Sequence, residues 1–241
     1  IPYVGCGVLS SALAMDKAYA KVVFEKEALP QGKYLVYNRK KLSREIDSVI
    51  SEIEETLTYP CFIKPSNAGS SVGVSKAYDR VELIAALQLA ARYDRRILAE
   101  EFIDGWEAEC AVLGNDDPIA STVGQVVPCN DFYDYKAKYL SGDSSEVIIP
   151  ARLPLDIIET IRNYSIKAFK ALDCSGLARV DFFVRKDNNE ICINEINTMP
   201  GFTQISMYSK LWAASGLPYS QLIERLIELA LERHADSQRE I

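Results

Sequence analysis

The chain has 241 residues, 48% apolar and 25% charged, with 12 Gly and 10 Pro, a balance that excludes disordered and collagen-like classes and leaves one large domain or two intimately packed small ones. Lys and Arg number 27 against 34 Asp and Glu, a formal net charge of −7, so no nucleic-acid or membrane partner is expected and any anionic ligand must be met by a few placed cations. Six scattered cysteines without a C-x-x-C pair, one histidine (His234) and no apolar stretch of membrane-spanning length argue against a disulfide framework, a Cys/His metal cluster or a membrane span, and for a reducing, cytoplasmic setting.

The opening Ile1 to Met15 lacks a basic n-region, so a targeting segment is not expected. The chain has no initiator Met and starts with what reads as the end of an element, Ile1-Pro2-Tyr3-Val4-Gly5. Part of a longer protein is therefore expected to precede it. Helical spacing of Leu13, Lys17, Ala20 and Phe24 predicts one helix from Ser10 to about Ala28. A strand at Tyr34 to Tyr37, a helix near Leu42 to Glu55 and a β-rich run Cys61 to Lys64 follow. Pro65 to Ser71 breaks that run as a loop, and Val72 to Ala77 resumes as strand, which makes a hairpin-like flap. A helix near Val81 to Arg92 and a strand Ile97 to Ile103 complete a first α+β unit.

Beyond Asp104-Gly105 come strands at Glu107 to Leu113 and Ile119 to Val127, then a long polar and aromatic stretch, Pro128 to Glu146, and a strand Val147 to Ile149. Loops of that length usually carry function or are disordered. A helix Leu155 to Leu172, strands Leu177 to Val184 and Glu190 to Asn197, and a last helix from Ser220 with a stripe of Leu222, Ile223, Leu226, Ile227 and Ala230 close the chain. The expected class is α+β with mostly antiparallel sheets.

Four constellations could carry chemistry. On the strand Leu177 to Val184, period-2 alternation puts Arg179 and Asp181 on one face, and on the following strand Glu195 and Asn197 share a face. A hairpin turning at Lys186 to Asn189 makes Asp181 and Glu195 near cross-strand neighbours. Two like charges there destabilise by up to about 1 kcal/mol unless a cation intervenes. Two carboxylates and an amide oxygen are the hard donors that hold Mg²⁺, whereas an isolated pattern of this kind also describes the solvated face of an edge hairpin.

The second constellation, Lys64-Pro65-Ser66-Asn67-Ala68-Gly69-Ser70-Ser71-Val72-Gly73, places a cation at a strand end before a small-residue loop. Its backbone N–H groups could cradle an anion, or it could be a plain hairpin turn. It is not a Walker A loop, since no G-K-[S/T] opens a helix. The third, Phe132 to Tyr139, interleaves aromatic and basic residues. The net charge disfavours base stacking, and an ordered lid over a phosphate fits better than a surface loop. The fourth, Glu100-Glu101-Phe102-Ile103 with Glu107, could line an adenine slot and a ribose, or be ordinary solvated surface. His234 reads as a surface residue, so no Ser/His/Asp triad can be assembled.

In this order the runs resemble the ATP-grasp superfamily and, within it, the D-alanine:D-alanine ligase family. The resemblance spans nearly the whole chain: G-x-G-V-x-x-S-A-L-x-M-D-K ending at Lys17, K-P-S-x-x-G-S-S-V-G from Lys64 to Gly73, F-Y-D-Y-K-A-K-Y from Phe132 to Tyr139, and N-E-I-N-T-M-P-G-F-T from Asn194 to Thr203. Four motifs in register are specific. The resemblance implies an ATP-grasp fold of two α+β subdomains gripping ATP between them. Residues 1–12 would be a hinge from an N-terminal domain, 13–103 the central subdomain, and 104–241 the C-terminal subdomain with a lid at 128–146.

It further implies Lys17 and Lys64 on the α and β phosphates, Gly69, Ser70 and Ser71 over the β and γ phosphates, and Lys138 on the γ-phosphate. Glu100, Phe102 and Ile103 would frame adenine and Glu107 would meet the ribose. Asp181, Glu195 and Asn197 would hold two Mg²⁺ ions, with Mn²⁺ as an alternative. Arg179 and Gly201 would stabilise the oxyanion of the tetrahedral state. Ser206 and Met207 would line the second amino-acid subsite, with Tyr139 closing over it.

The implied reaction joins two D-alanines through a D-alanyl phosphate for peptidoglycan precursor synthesis. The full-length protein would be a homodimer. Phosphoryl transfer needs positioning and charge neutralisation rather than a histidine base. Relatives that take D-serine or D-lactate as second substrate, and a fragment that binds nucleotide without turnover, are the alternatives. The family's N-terminal domain supplies a carboxylate for the first D-alanine's ammonium, and it would lie before this chain.

Overall fold

The structure is a computed structural model that describes residues 1–127 and 146–238. The expected α+β class is the one found, built on two antiparallel sheets that follow one another along the chain. The strands β1 (Tyr34–Asn38), β2 (Cys61–Pro65), β3 (Ser75–Ala77) and β4 (Arg96–Glu101) form the first, in the order β1-β4-β2-β3. The second contains β5 (Gly105–Gly114), β6 (Ile119–Val127), β7 (Glu146–Ile148), β8 (Gly176–Arg185) and β9 (Ile191–Asn197), in the order β7-β6-β5-β8-β9. Three residues, Phe102 to Asp104, carry the chain from β4 to β5, so the two sheets meet at a short crossing. Arg185 closes on Glu101 at 2.6 Å and Lys186 on Asp104 at 2.5 Å, tying the second sheet to that crossing.

The single helix expected from Ser10 to Ala28 is two: α1 (Val8–Met15) and α2 (Lys17–Lys26). Asp16 interrupts them because it is extended (φ −93°, ψ 98°) and its side chain accepts from Tyr19 N, the geometry of an N-cap. The helix expected at 42–55 is likewise split at Glu45 into α3 (Arg39–Arg44) and α4 (Ile46–Leu57). In α5 (Arg80–Tyr93), Asp79 accepts from Glu82 N while Glu82 accepts from Tyr78 N, a reciprocal cap that fixes the helix start. The later helices are α6 (Leu155–Ala171), α7 (Met207–Ala214) and α8 (Tyr219–Asp236). Of these α7 was not read from the sequence.

The cores follow from alternation. Cys61, Ile63, Ile97 and Ala99 turn one face of the first sheet toward α4 and α5, where Val49, Ile53, Leu83 and Leu87 complete a buried cluster. That leaves Phe62, Lys64 and Glu100 on the opposite face. In the second sheet, Ala108, Cys110, Val112, Val180, Phe182 and Val184 pack under Ile161, Ala168 and Phe169 of α6 and Phe24 of α2. Segment 14–29, grouped by sequence with the first unit, therefore buries its apolar side against the second. The other face of β5 and β8 is divided: Ala111, Leu113 and Leu177 are covered by Tyr208, Leu211 and Trp212 of α7 and by Leu222, Leu226 and Leu229 of α8, whereas Glu107, Glu109, Arg179 and Asp181 occupy the remaining half.

Candidate active site

Between the exposed face of the first sheet and the polar half of the second lies a cleft of about 930 Å³. Its wall begins at the start of α2. Ser66 donates through Oγ to Asp16 Oδ1 at 2.6 Å and accepts from Ala18 N at 3.1 Å, and its carbonyl accepts from Lys17 N at 2.9 Å. Arg96 pairs with Asp16 from behind. This buried junction bolts the helix start to the end of β2 and aims Lys17 into the cleft. Lys17 Nζ donates to the Ala68 carbonyl at 2.9 Å and lies 3.4 Å from Glu195 on β9.

Four residues further, on the same side of α2, Lys21 is 2% exposed. It meets Glu100 at 2.7 Å, and Lys64 meets the other oxygen of the same carboxylate at 2.5 Å. Burial would raise the Glu100 pKa, yet the two ammonium groups overcome it and hold the carboxyl down at about 2. Burial would likewise lower Lys64, and Glu100 reverses the sign and keeps it charged. Two cations around one carboxylate leave a net positive charge on this wall. Lys21 was missed by sequence reasoning, although its i, i+4 spacing from Lys17 put both on one helix face.

The loop after β2 is held by backbone bonds from Val72 N to Gly69 O (3.1 Å) and Val74 N to Ser71 O (3.2 Å), which is why the strand expected from Val72 begins only at Ser75. Ser70 and Ser71 both have left-handed backbone (φ 53° and 59°). Such conformations are costly for a residue with a Cβ and gather at ligand clamps. At Gly73 (φ 73°) a Cβ would fall 2.5 Å from the Tyr93 ring and 2.8 Å from Pro65, so only glycine fits. Toward the crossing, Phe102 and Ile103 line the cleft with Glu107, and Lys76 Nζ stands 3.8 Å from the Phe102 ring centroid.

On the opposite wall Asp181 and Glu195 are direct register partners, and Arg179 faces Asn197. A bulge opposite Asp181 and Phe182 inserts Asn194, which keeps Glu195 and Asn197 on the cleft side. Asn197 Nδ2 donates to Asp181 at 3.0 Å and Glu195 at 3.4 Å. Arg179 grips Asp181 through two bonds of 2.7 Å and approaches Glu109 at 2.9 Å. Burial would raise Glu195, but Lys17 and Lys64 hold it below the usual carboxylate range. Among the described residues no group of three His, Cys, Asp or Glu is arranged to hold a metal ion, so the oxygen donors here are two carboxylates and an amide.

Lys17, Lys64, Gly69, Ser70, Ser71, Glu100, Phe102, Ile103, Glu107, Glu195 and Asn197 thus line one cleft, with Asp181 and Arg179 bonded behind Asn197. Gly201, Ser206 and Met207 form a neighbouring turn instead: Ser206 Oγ accepts from Thr203 N at 3.0 Å, a Cβ on Gly201 would stand 3.3 Å from it, and Met207 opens α7 against the core. Lys138, Tyr139 and the expected lid fall outside the described residues.

Two antiparallel α+β units that close a lysine-lined, carboxylate-bearing cleft have the ATP-grasp architecture. Residues 23–228 match the family model "D-ala D-ala ligase C-terminus". The chain is 69% identical over its full length to the D-alanine–D-alanine ligase of Ruminiclostridium cellulolyticum and 62% identical over 240 residues to that of Acetivibrio thermocellus. The chain belongs to the D-alanine–D-alanine ligase family. It spans 64% of the length of each of those relatives. Its fold overlays the D-alanine–D-alanine ligase of Coxiella burnetii with a TM-score of 0.85 at 37% identity, over 99% of this chain and 62% of that one. It overlays the VanG D-Ala:D-Ser ligase of Enterococcus faecalis with a TM-score of 0.86 at 40% identity, over 95% of this chain and 65% of that one.

Proposed function

We propose that this chain supplies the nucleotide-binding and metal-binding walls of an ATP-dependent ligase that joins two D-alanines. The observation that carries the reading is the convergence of Lys17 and Lys64 on one cleft with the Glu195–Asn197 edge of the second sheet. Lys17, Lys64 and the loop of Gly69, Ser70 and Ser71 would receive the phosphates, where ammonium groups and backbone N–H donors offset their charge. Phe102 and Ile103 would flank the base, with Glu100 set between its two lysines at the back of that slot and Glu107 toward the ribose.

Asp181, Glu195 and Asn197 fit divalent cations: they are hard oxygen donors on one sheet face, and the carboxylates already draw positive charge from Lys17 and Arg179. Mg²⁺ bound there would neutralise phosphate oxygens. Arg179, kept protonated by its carboxylate neighbours against the effect of burial, would steady the oxyanion together with the Gly201 backbone. Ser206 and Met207 would border the second amino-acid subsite, and Lys138 and Tyr139 would cover it. The carboxylate of one D-alanine takes the γ-phosphoryl group to give an acyl phosphate, and the amine of the second displaces phosphate as the peptide bond forms. No histidine base is needed, because positioning and charge neutralisation supply most of the rate. A reducing cytoplasmic setting agrees with five unpaired thiols among the described residues, and the product would serve peptidoglycan precursor synthesis.

The test has two arms. Calorimetry of ATP binding to the 241-residue chain with and without Mg²⁺ should give metal-dependent affinity. Phosphate release by a protein carrying this chain together with the N-terminal portion of a relative should depend on D-alanine and far less on D-serine or D-lactate. Absence of metal-dependent ATP binding overturns the assignment of the walls, and a preference for D-serine or D-lactate overturns the assigned second substrate.

A further inference from the structure

One carboxylate beside the cleft is not used by the reading above. Glu109 on β5 faces Asp181 on β8 in register, and Asp181 in turn faces Glu195 on β9. The three stand in one row across three adjacent strands, on one face, where like charges oppose one another. Arg179, one register step away on β8, answers two of them: its Nε lies 2.9 Å from Glu109 Oε2 and 2.7 Å from Asp181 Oδ1, and a terminal nitrogen is 2.7 Å from Asp181 Oδ2. The side chains of Arg179, Glu109 and Asp181 are each less than a fifth exposed.

This arrangement poses a conflict. Arg179 occupies both oxygens of Asp181, and Asn197 adds a third donor to one of them. A divalent cation at Asp181 has to take oxygen lone pairs that the guanidinium now holds. Arginine cannot resolve this by losing a proton. Nor can it simply withdraw, because a guanidinium this buried without a carboxylate partner is heavily penalised.

We propose that Glu109 is a positioning residue, the alternative carboxylate that keeps Arg179 in place when a cation takes Asp181. The proposal rests on the reading of Asp181 as a cation ligand. Glu109 lies on the side of Arg179 away from Glu195, so a shift of the guanidinium toward it frees Asp181 on the cation's side. The shift needs side-chain torsions only, since β5 and β8 are paired through the whole stretch from Gly105 to Gly114.

The test measures ATP affinity of the chain as a function of Mn²⁺ concentration, together with thermal melting, for the parent and for Glu109→Gln, Glu109→Asp, Asp181→Asn, Arg179→Met and Glu109→Gln/Arg179→Met. Glu109→Gln keeps the shape and removes the charge, so Arg179 commits wholly to Asp181. The Mn²⁺ midpoint should rise about 10- to 100-fold, the range for loss of a residue that orients a metal ligand. Affinity for ATP without metal should not change. Glu109→Asp should recover part of the shift. In the Arg179→Met background Glu109→Gln should have no further effect on the midpoint, because the competitor it restrains is gone.

A lower melting temperature with an unmoved midpoint in Glu109→Gln would make Glu109 a packing residue only and overturn the proposal. If the parent shows no Mn²⁺ dependence, or Asp181→Asn leaves the midpoint where it was, the cation reading of Asp181 fails and takes this inference with it. If Asp181→Asn shifts the midpoint and Glu109→Gln does not, Glu109 alone is wrongly assigned.

Discussion

Lys17 Nζ joins two segments that are far apart in sequence, bonding the Ala68 carbonyl at 2.9 Å on one side and standing 3.4 Å from Glu195 on the other. One ammonium thus ties the loop after β2 to the acidic edge of the second sheet. Replacing it by methionine keeps the apolar stem and removes the charge. A hydrogen bond to a charged group contributes about 1.5–3 kcal/mol, so Lys17→Met should weaken ATP binding about 10- to 100-fold. Calorimetry decides, and an unchanged affinity would remove Lys17 from the phosphate site.

Lys21 makes a sharper demand on stability. It is buried against Glu100, and breaking a buried pair from one side costs about 3–5 kcal/mol. Because Glu100 keeps its pair with Lys64, Lys21→Met should lower the unfolding free energy by less than that full cost in a urea titration. Lys21→Met combined with Glu100→Gln should cost less than the sum of the two single changes, since the Lys21 ammonium that Glu100→Gln leaves without its carboxylate is then gone, and only Lys64 stays stranded. Strict additivity would mean that the pair is not coupled.

The same carboxyl sets an acid response. Glu100 titrates at about 2 in the fold against an ordinary 4.5, so its folded pKa is depressed. Its contribution is complete above the ordinary value and is lost as pH falls from about 4.5 toward 2. The shift corresponds to about 3 kcal/mol. Denaturation curves at pH 7, 4 and 2.5 should show this loss, and Glu100→Gln should flatten it. A Glu100→Gln variant with the same pH slope as the parent would assign the acid response to other groups.

Gly73 offers a test of the loop by itself. Its positive φ and the 2.5 Å approach to the Tyr93 ring leave no room for a methyl group. Gly73→Ala should destabilise by more than about 1 kcal/mol and weaken ATP binding, because Ser70 and Ser71 lie on the displaced turn. Binding at the parent's affinity would show that the backbone of 69–73 does not shape the phosphate pocket.

What could be read from sequence and what could not divide along physical lines. Strand β8 was legible because period-2 alternation runs cleanly through Arg179 to Arg185, β5 and β9 because their apolar, β-rich runs are bounded by turn residues, and alternation put Arg179 with Asp181 and Glu195 with Asn197. The bulge at Asn194 was not legible, since nothing in Ile-Asn-Glu-Ile distinguishes an extra residue from a regular one. The break at Asp16 was written in an Asp followed three residues later by a helical N–H acceptor need, but the unbroken apolar spacing around it hid the cap. Helix α7 was missed because Ser206 and Met207 were read for their resemblance to a substrate subsite. Its own stripe, Tyr208, Leu211 and Trp212, has helical spacing and is buried. Lys21 escaped because a lysine on a helix reads as solvated surface until a buried carboxylate is known to face it.

Strands β5 and β8 carry buried clusters on both faces, one under α6 and one under α7 and α8. Amides in such strands open only when most of the molecule does. The backbone under Glu109, Arg179 and Asp181 should accordingly exchange hydrogen for deuterium most slowly of all the described residues, while Gly69 to Gly73, bonded through short turns at the surface, should exchange fast. The two halves of the cleft then differ in timescale: an acidic wall that stays put through many openings of the small-residue loop opposite it, so that a ligand entering from solvent meets one surface already formed and another that it must catch.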